Sequence, residues 1–150
     1  MGRRFAILEN MVDSLKLIKK DDEVQKFGGE GTHQYSHTPG EVSLDFDEWA
    51  HVRYFPAIFV NSQAQSFEGN PGRYYKSTWD ILVTIYVKNN EDLEEILSDV
   101  IDDVVVALHQ DVKRGGNAVA TYLSRAEIES RFRPYGMAEL TFTVTYHFGV

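Results

Sequence analysis

YYKSTWDILVTIYVKNN at residues 74–90, EDLEEILSDVIDDVVVALHQDV at 91–112 and MAELTFTVTYHFG at 137–149 decide the fold. In the first, Tyr75, Trp79, Ile81, Val83, Ile85 and Val87 share one side of a two-residue repeat. Lys76, Thr78, Asp80 and Thr84 share the other with Leu82 and Tyr86. That alternation predicts a long half-buried strand. In the second, Leu93, Ile96, Leu97, Val100, Ile101, Val104, Val105 and Leu108 recur at helical spacing, after Asn89 and Asn90 as N-caps. In the third, Leu140, Phe142, Val144, Tyr146 and Phe148 face inward, and Glu139, Thr141, Thr143 and Thr145 face outward. A preceding strand over 118–132, with Tyr122, Ala126, Ile128 and Phe132 inward, pairs with it around Arg133-Pro134-Tyr135-Gly136.

Upstream, residues 3–19 read as a helix whose apolar stripe is Phe5, Leu8, Val12 and Leu15, flanked by Met11 and Ile18. Packing on its own sheet is the simplest use of such a stripe. Pro56 starts a short strand with Ile58 and Val60 on one side and Phe59 on the other. Gly69-Asn70-Pro71-Gly72 then turns the chain into the strand at Tyr74. The expected fold is α+β, a mixed but mainly antiparallel sheet of about four to five strands carrying two helices. The order is α-β-β-α-β-β in a single domain, residues 1–150. A long flexible loop at about 28–47 interrupts it, where three glycines in four positions precede Pro39-Gly40. Within that loop Val42, Leu44 and Phe46 alternate, which suits a short strand or an arm.

Composition narrows the function. The chain has 43% hydrophobic and 13% aromatic residues, values of a globular protein. It has no cysteine, so disulfides, thiol catalysis and thiolate metal sites are excluded. A net charge of −8 argues against gripping a nucleic-acid backbone, where cations must replace counterions. The N-terminal segment mixes charges into its apolar residues and reads as a helix, not a leader, and no run reaches membrane-spanning length.

No constellation supports catalysis or a cofactor. His33 and His37 are four apart but lie in a glycine-rich loop, without the glutamate of a zinc hydrolase. Asp99, Asp102 and Asp103 could hold Mg²⁺ on one helix face, yet an acidic run is more often a solvated face. That face, with Glu94 and Glu95, is expected to be exposed. Gly28-Gly29-Glu30-Gly31 lacks the Lys-Ser/Thr ending of a phosphate loop, and no serine sits in a nucleophile elbow. The chain is therefore expected to need no metal or cofactor and not to be an enzyme.

The element order, with PAIFVNSQAQSFEG (56–69), YKSTWDILVTIYVKN (75–89), EEILSDVIDDVVVALHQD (94–111) and AELTFTVTYHFG (138–149), resembles the tail terminator, or tail completion, proteins of long-tailed bacteriophages. The likeness is loose over residues 3–20 and good over 56–148. The stretch from Gly28 to Trp49 departs from it, so nothing transfers there. The resemblance implies a virion protein assembled in the host cytoplasm, a subunit of a hexameric ring. Its partners would be the tail tube protein, whose growth it stops, and a head-side connector, while DNA passes through without specific binding. A closed head-to-tail ring needs two different complementary patches on each subunit. The candidates are the loop residues His33, Tyr35, His37, Val42, Leu44, Phe46 and Trp49, and the outer face of the last strand at Thr141, Thr143 and Thr145. The acidic face of the second helix would be a wall of the lumen or the outer surface. A tail tube or connector subunit of the same machine is the nearest alternative. A small-molecule-binding or enzymatic α+β domain, which needs a concave polar pocket, is the other.

Overall fold

The computed structural model describes residues 2–26, 31–44, 51–70 and 74–149. Among the described residues are two α-helices, α1 (Arg3–Lys16) and α2 (Leu93–His109), a short 3-10 turn at Arg114–Gly116, and seven strands. These are β1 (Glu23–Gln25), β2 (Thr32–Gln34), β3 (Glu41–Ser43), β4 (Ala57–Asn70), β5 (Tyr74–Lys88), β6 (Ala120–Phe132) and β7 (Tyr135–Gly149). β1 and β2 form a two-stranded ribbon, and the rest form a five-stranded sheet in the order β3-β4-β5-β7-β6. Among the described residues only the β3–β4 pair is parallel. The expected α+β class and mainly antiparallel sheet are present, with three short strands added between the first helix and the first long strand.

The long strands pair as their alternation requires. β5 lies against β7 along its whole length, from Tyr74 opposite Gly149 to Lys88 opposite Tyr135. β4 is much longer than expected, because its outer half, polar in sequence, continues the hairpin with β5 to Asn70. Both helices cover one sheet face. Ile7, Met11, Leu15 and Ile18 of the N-terminal region and Leu93, Leu97, Val100 and Val104 of α2 join Trp79, Ile81, Val83, Ile85, Leu140, Phe142 and Val144 in one core. Full burial of each such aliphatic side chain stabilises by roughly 1.5–3 kcal/mol. A smaller cluster of Val52, Ala57, Phe59 and Tyr86 covers the opposite face at one end of the sheet. There β5 is buried on both sides rather than half-buried, and Thr84 is fully enclosed.

Local chemistry explains the ends of α2. Asn89 Oδ1 accepts from the backbone N–H groups of Glu91 and Asp92 at 2.8 and 3.0 Å, leading the chain into the helix. Beyond it, Gly115 (φ 68°) and Gly116 (φ 89°) take the left-handed conformations that turn the chain toward β6. Arg114, enclosed beside them, donates from Nη2 to the carbonyl of Leu108 in the last turn. Burial pulls its pKa down to about 10, against the opposing pull of Asp111.

Two side-chain assignments change. In α1 the buried stripe is Ile7, Met11, Val12 and Leu15, while Phe5 is 45% exposed. Ile7, Met11 and Leu15 follow one another at four-residue steps, and Phe5 lies off that line. In β6 the pairing shifts between Leu123 and Arg125. Before that bulge Thr121 and Leu123 sit opposite the core residues Val144 and Phe142, which sends Tyr122 to the other face, half exposed. Beyond it Ala126 and Ile128 do return to the side of Leu140 and Ala138, but there Ile128 is 57% exposed. The side chains of Phe132 and Phe148 lie outside those described.

Candidate functional site

Asp103 organises the region expected to be a bare loop. On α2 it stands three residues after Val100 and four before Ala107, at the edge of the buried stripe. It is 1% exposed, a correction to its assignment to the solvated acidic face. Glu94, Glu95 and Asp102 are exposed and Asp99 is half-buried. The Glu94 carboxylate accepts from Ser130 Oγ of β6, so it too has a structural contact.

A buried carboxylate must be met by donors, since desolvation otherwise disfavours it strongly. Residues 33–37 supply them. His33 Nε2 lies 2.8 Å from Oδ1. Ser36 donates to Oδ2 from its backbone N–H at 3.0 Å and from Oγ at 2.8 Å. The His37 N–H reaches Oδ2 at 3.2 Å. The His37 ring stands farther off, with Nδ1 3.8 Å from Oδ2, and bonds Ser36 Oγ at 2.8 Å. Among the described residues no three or more such side chains are grouped to hold a metal ion. The cluster is a clasp, fastening a chain segment across a helix.

Tyr35, inside the clasp, is buried, and its ring meets that of His33 edge-on with centroids 5.5 Å apart. Burial raises its phenol pKa, helped by the negative charges of Asp103 and Asp22. Backbone bonds between Tyr35 and both Asp21 and Asp22 lock the ribbon end, at 2.8 and 2.9 Å. Beyond it, β3 runs beside β4, and Val42 and Leu44 pack on the main core. The structure thus gathers His33, Tyr35 and His37 around Asp103 and turns Val42 and Leu44 inward. Phe46 and Trp49 lie outside the described residues.

The last strand does not offer a free surface in the way its alternation implied. β7 lies between β5 and β6, so both of its edges are paired. Thr143 is 4% exposed, a correction to its expected exposure; it donates to Asp80 Oδ1 at 3.0 Å and lies 3.1 Å from Ser124 Oγ. Thr141 and Thr145 remain half-buried on the helix-free face.

The sequence matches the family described as Bacteriophage Tail Tube Terminator Protein over residues 1–115. That span runs through the 28–49 stretch where the resemblance itself transferred nothing, and stops before β6 and β7. No curated protein matches the chain. Among solved structures, a chain of "Virion of native gene transfer agent (GTA) particle" is similar at 7% identity, covering 71% of this chain and 78% of that one, with a TM-score of 0.39. A likeness that weak carries no argument here. No described helix is long and apolar enough to cross a membrane.

Proposed function

We propose that this chain, which belongs to the bacteriophage tail tube terminator family and is a structural protein of the phage tail, assembles into a ring that ends the growing tail tube. The ring binds the tube end on one side and presents the other to a head-side connector. Six copies, as the resemblance implies, close it, and DNA passes through its lumen. The family match over residues 1–115 carries this reading. Capping demands differential affinity: one face must complement the tube end, and the far face must refuse the next tube subunit. The net charge of −8 per chain suits the passage of a polyanion, because like-signed walls do not hold it. Nothing in the clasp at Asp103 suggests chemistry beyond holding the chain.

Electron microscopy of lysates from a phage lacking this gene tests the reading. Tails of uncontrolled length that fail to join heads are expected. Normal-length tails on filled heads would defeat the terminator assignment. Absent tails with leaking heads would move the protein to the connector.

A further inference from the structure

Asn10 of α1, Asp111 beyond α2 and the turn at Arg114–Gly116 meet at one junction. Asp111 Oδ2 accepts from Asn10 Nδ2 at 3.1 Å and from the Gly115 backbone N–H at 2.8 Å. A Cβ at Gly115 would stand 3.4 Å from Asn10 Nδ2, so helix and turn are in contact there. Three side-chain atoms of this junction are buried without a hydrogen-bond partner among the described residues: Asn10 Oδ1, Arg114 Nε and Arg114 Nη1. Arg114 is 0% exposed, and of its guanidinium nitrogens Nη2 alone is bonded, to the Leu108 carbonyl. Its backbone takes φ 49°, a left-handed conformation that disfavours a residue with a side chain. The turn thus accepts strain with the guanidinium inside, as happens where the surroundings over-determine a conformation.

The chemistry of these atoms selects what can meet them. Two are donors on a cation, and the third is a carbonyl acceptor. A metal ion is repelled by the guanidinium. An anion could accept from Arg114, but it would confront the Asn10 oxygen and the Asp111 carboxylate, whose charge already acts on Arg114. A neutral molecule that both accepts and donates satisfies all three atoms. Water does so, and it alone is small enough for a junction closed to solvent; buried waters characteristically make about three such bonds.

We propose that the junction of α1 with the turn at Arg114–Gly116 is a binding site for internal water, which accepts from the Arg114 guanidinium and donates to Asn10 Oδ1. Asn10 and Arg114 share no direct hydrogen bond, so the water supplies the polar link between them. A bridging water serves nearly as well as a direct bond when it is held by several groups. It is a structural ligand that fixes α1 against the end of α2, and the inference stands apart from the ring reading.

Crystals of the full chain that diffract finely enough to order solvent test this directly. A water is expected within hydrogen-bond reach of Asn10 Oδ1 and of Arg114 Nε or Nη1. The same crystals soaked in bromide should show no anomalous peak at that place. In solution, the Arg114 Nε–H of isotope-labelled protein should exchange slowly with solvent yet show a dipolar cross-peak with a long-lived water. Asn10→Leu keeps the size of the side chain and removes the oxygen, so its crystals should lose the water or show it displaced. If that variant does not fold, the measurements on the unchanged chain decide alone. A dry junction in which the guanidinium bonds only to protein overturns the proposal, as does absence of the cross-peak. A bromide peak also overturns it, because the site would then take an anion.

Discussion

At Asp103 a single carboxylate decides the course of a chain segment some seventy residues earlier in sequence. Among the described residues it has no lysine or arginine partner, so its burial depends on the N–H and O–H donors of His33, Ser36 and His37. Removing an acceptor that serves several buried donors leaves them unsatisfied, whereas its neighbour Asp102 has no such duty. Asp103→Ala should therefore lower the unfolding free energy by about 3 kcal/mol in urea titrations. Asp102→Ala should stay within about 0.5 kcal/mol. Equal effects would return Asp103 to the surface. The spacing Val100, Asp103, Ala107 held this information, since it puts the aspartate on the flank of the apolar stripe. Counting it with the adjacent acids hid it. The donors were not legible, because their approach to α2 depends on long-range chain path, not on local pattern.

At the scale of elements, periodicity found α2, β5 and β7 because each buries a continuous stripe whose repeat admits one reading. It misplaced the stripe of α1 by a fraction of a turn, since Phe5-Leu8-Val12-Leu15 and Ile7-Met11-Leu15-Ile18 both satisfy helical spacing. The sheet beneath chose the second. In β6 alternation failed for a physical reason: one extra residue at the bulge flips the face, and no local residue type announces it. The outer half of β4 was missed because residues 61–66 are polar apart from Ala64 and pair by backbone bonds beyond the core. The α1 assignment gives a direct contrast. Ile7→Ala, at a fully enclosed position, should cost about 2–4 kcal/mol through lost burial and a residual cavity. Phe5→Ala should cost less than about 1 kcal/mol, despite removing a larger side chain. Chemical denaturation of the two variants decides, and a larger loss at Phe5 would restore the first stripe.

For the whole molecule, closure into the proposed ring would decide which face sees DNA. Both helices cover the same sheet face. If the proposed ring places their bulk on its wider outer circumference, the helix-free face would turn toward the axis. That face carries Thr141 and Thr145 with Asp80, Glu127 and Glu139, and also the cations Lys76 and Arg125, the latter paired with Glu127. The acidic side of α2, at Glu95, Asp99 and Asp102, would then lie outside the ring and away from the lumen. Thr141→Lys with Thr145→Lys should therefore slow DNA ejection from intact phage. Rings of that variant should retain threaded DNA at about 50 mM salt and release it by roughly 200 mM, as counterion release predicts. Glu95→Lys, Asp99→Lys and Asp102→Lys together should leave the fold intact, because burial of the opposite stripe holds α2, and should leave ejection unchanged. The reverse outcome, slow ejection from the helix variant and unchanged ejection from the threonine variant, would put α2 against the DNA.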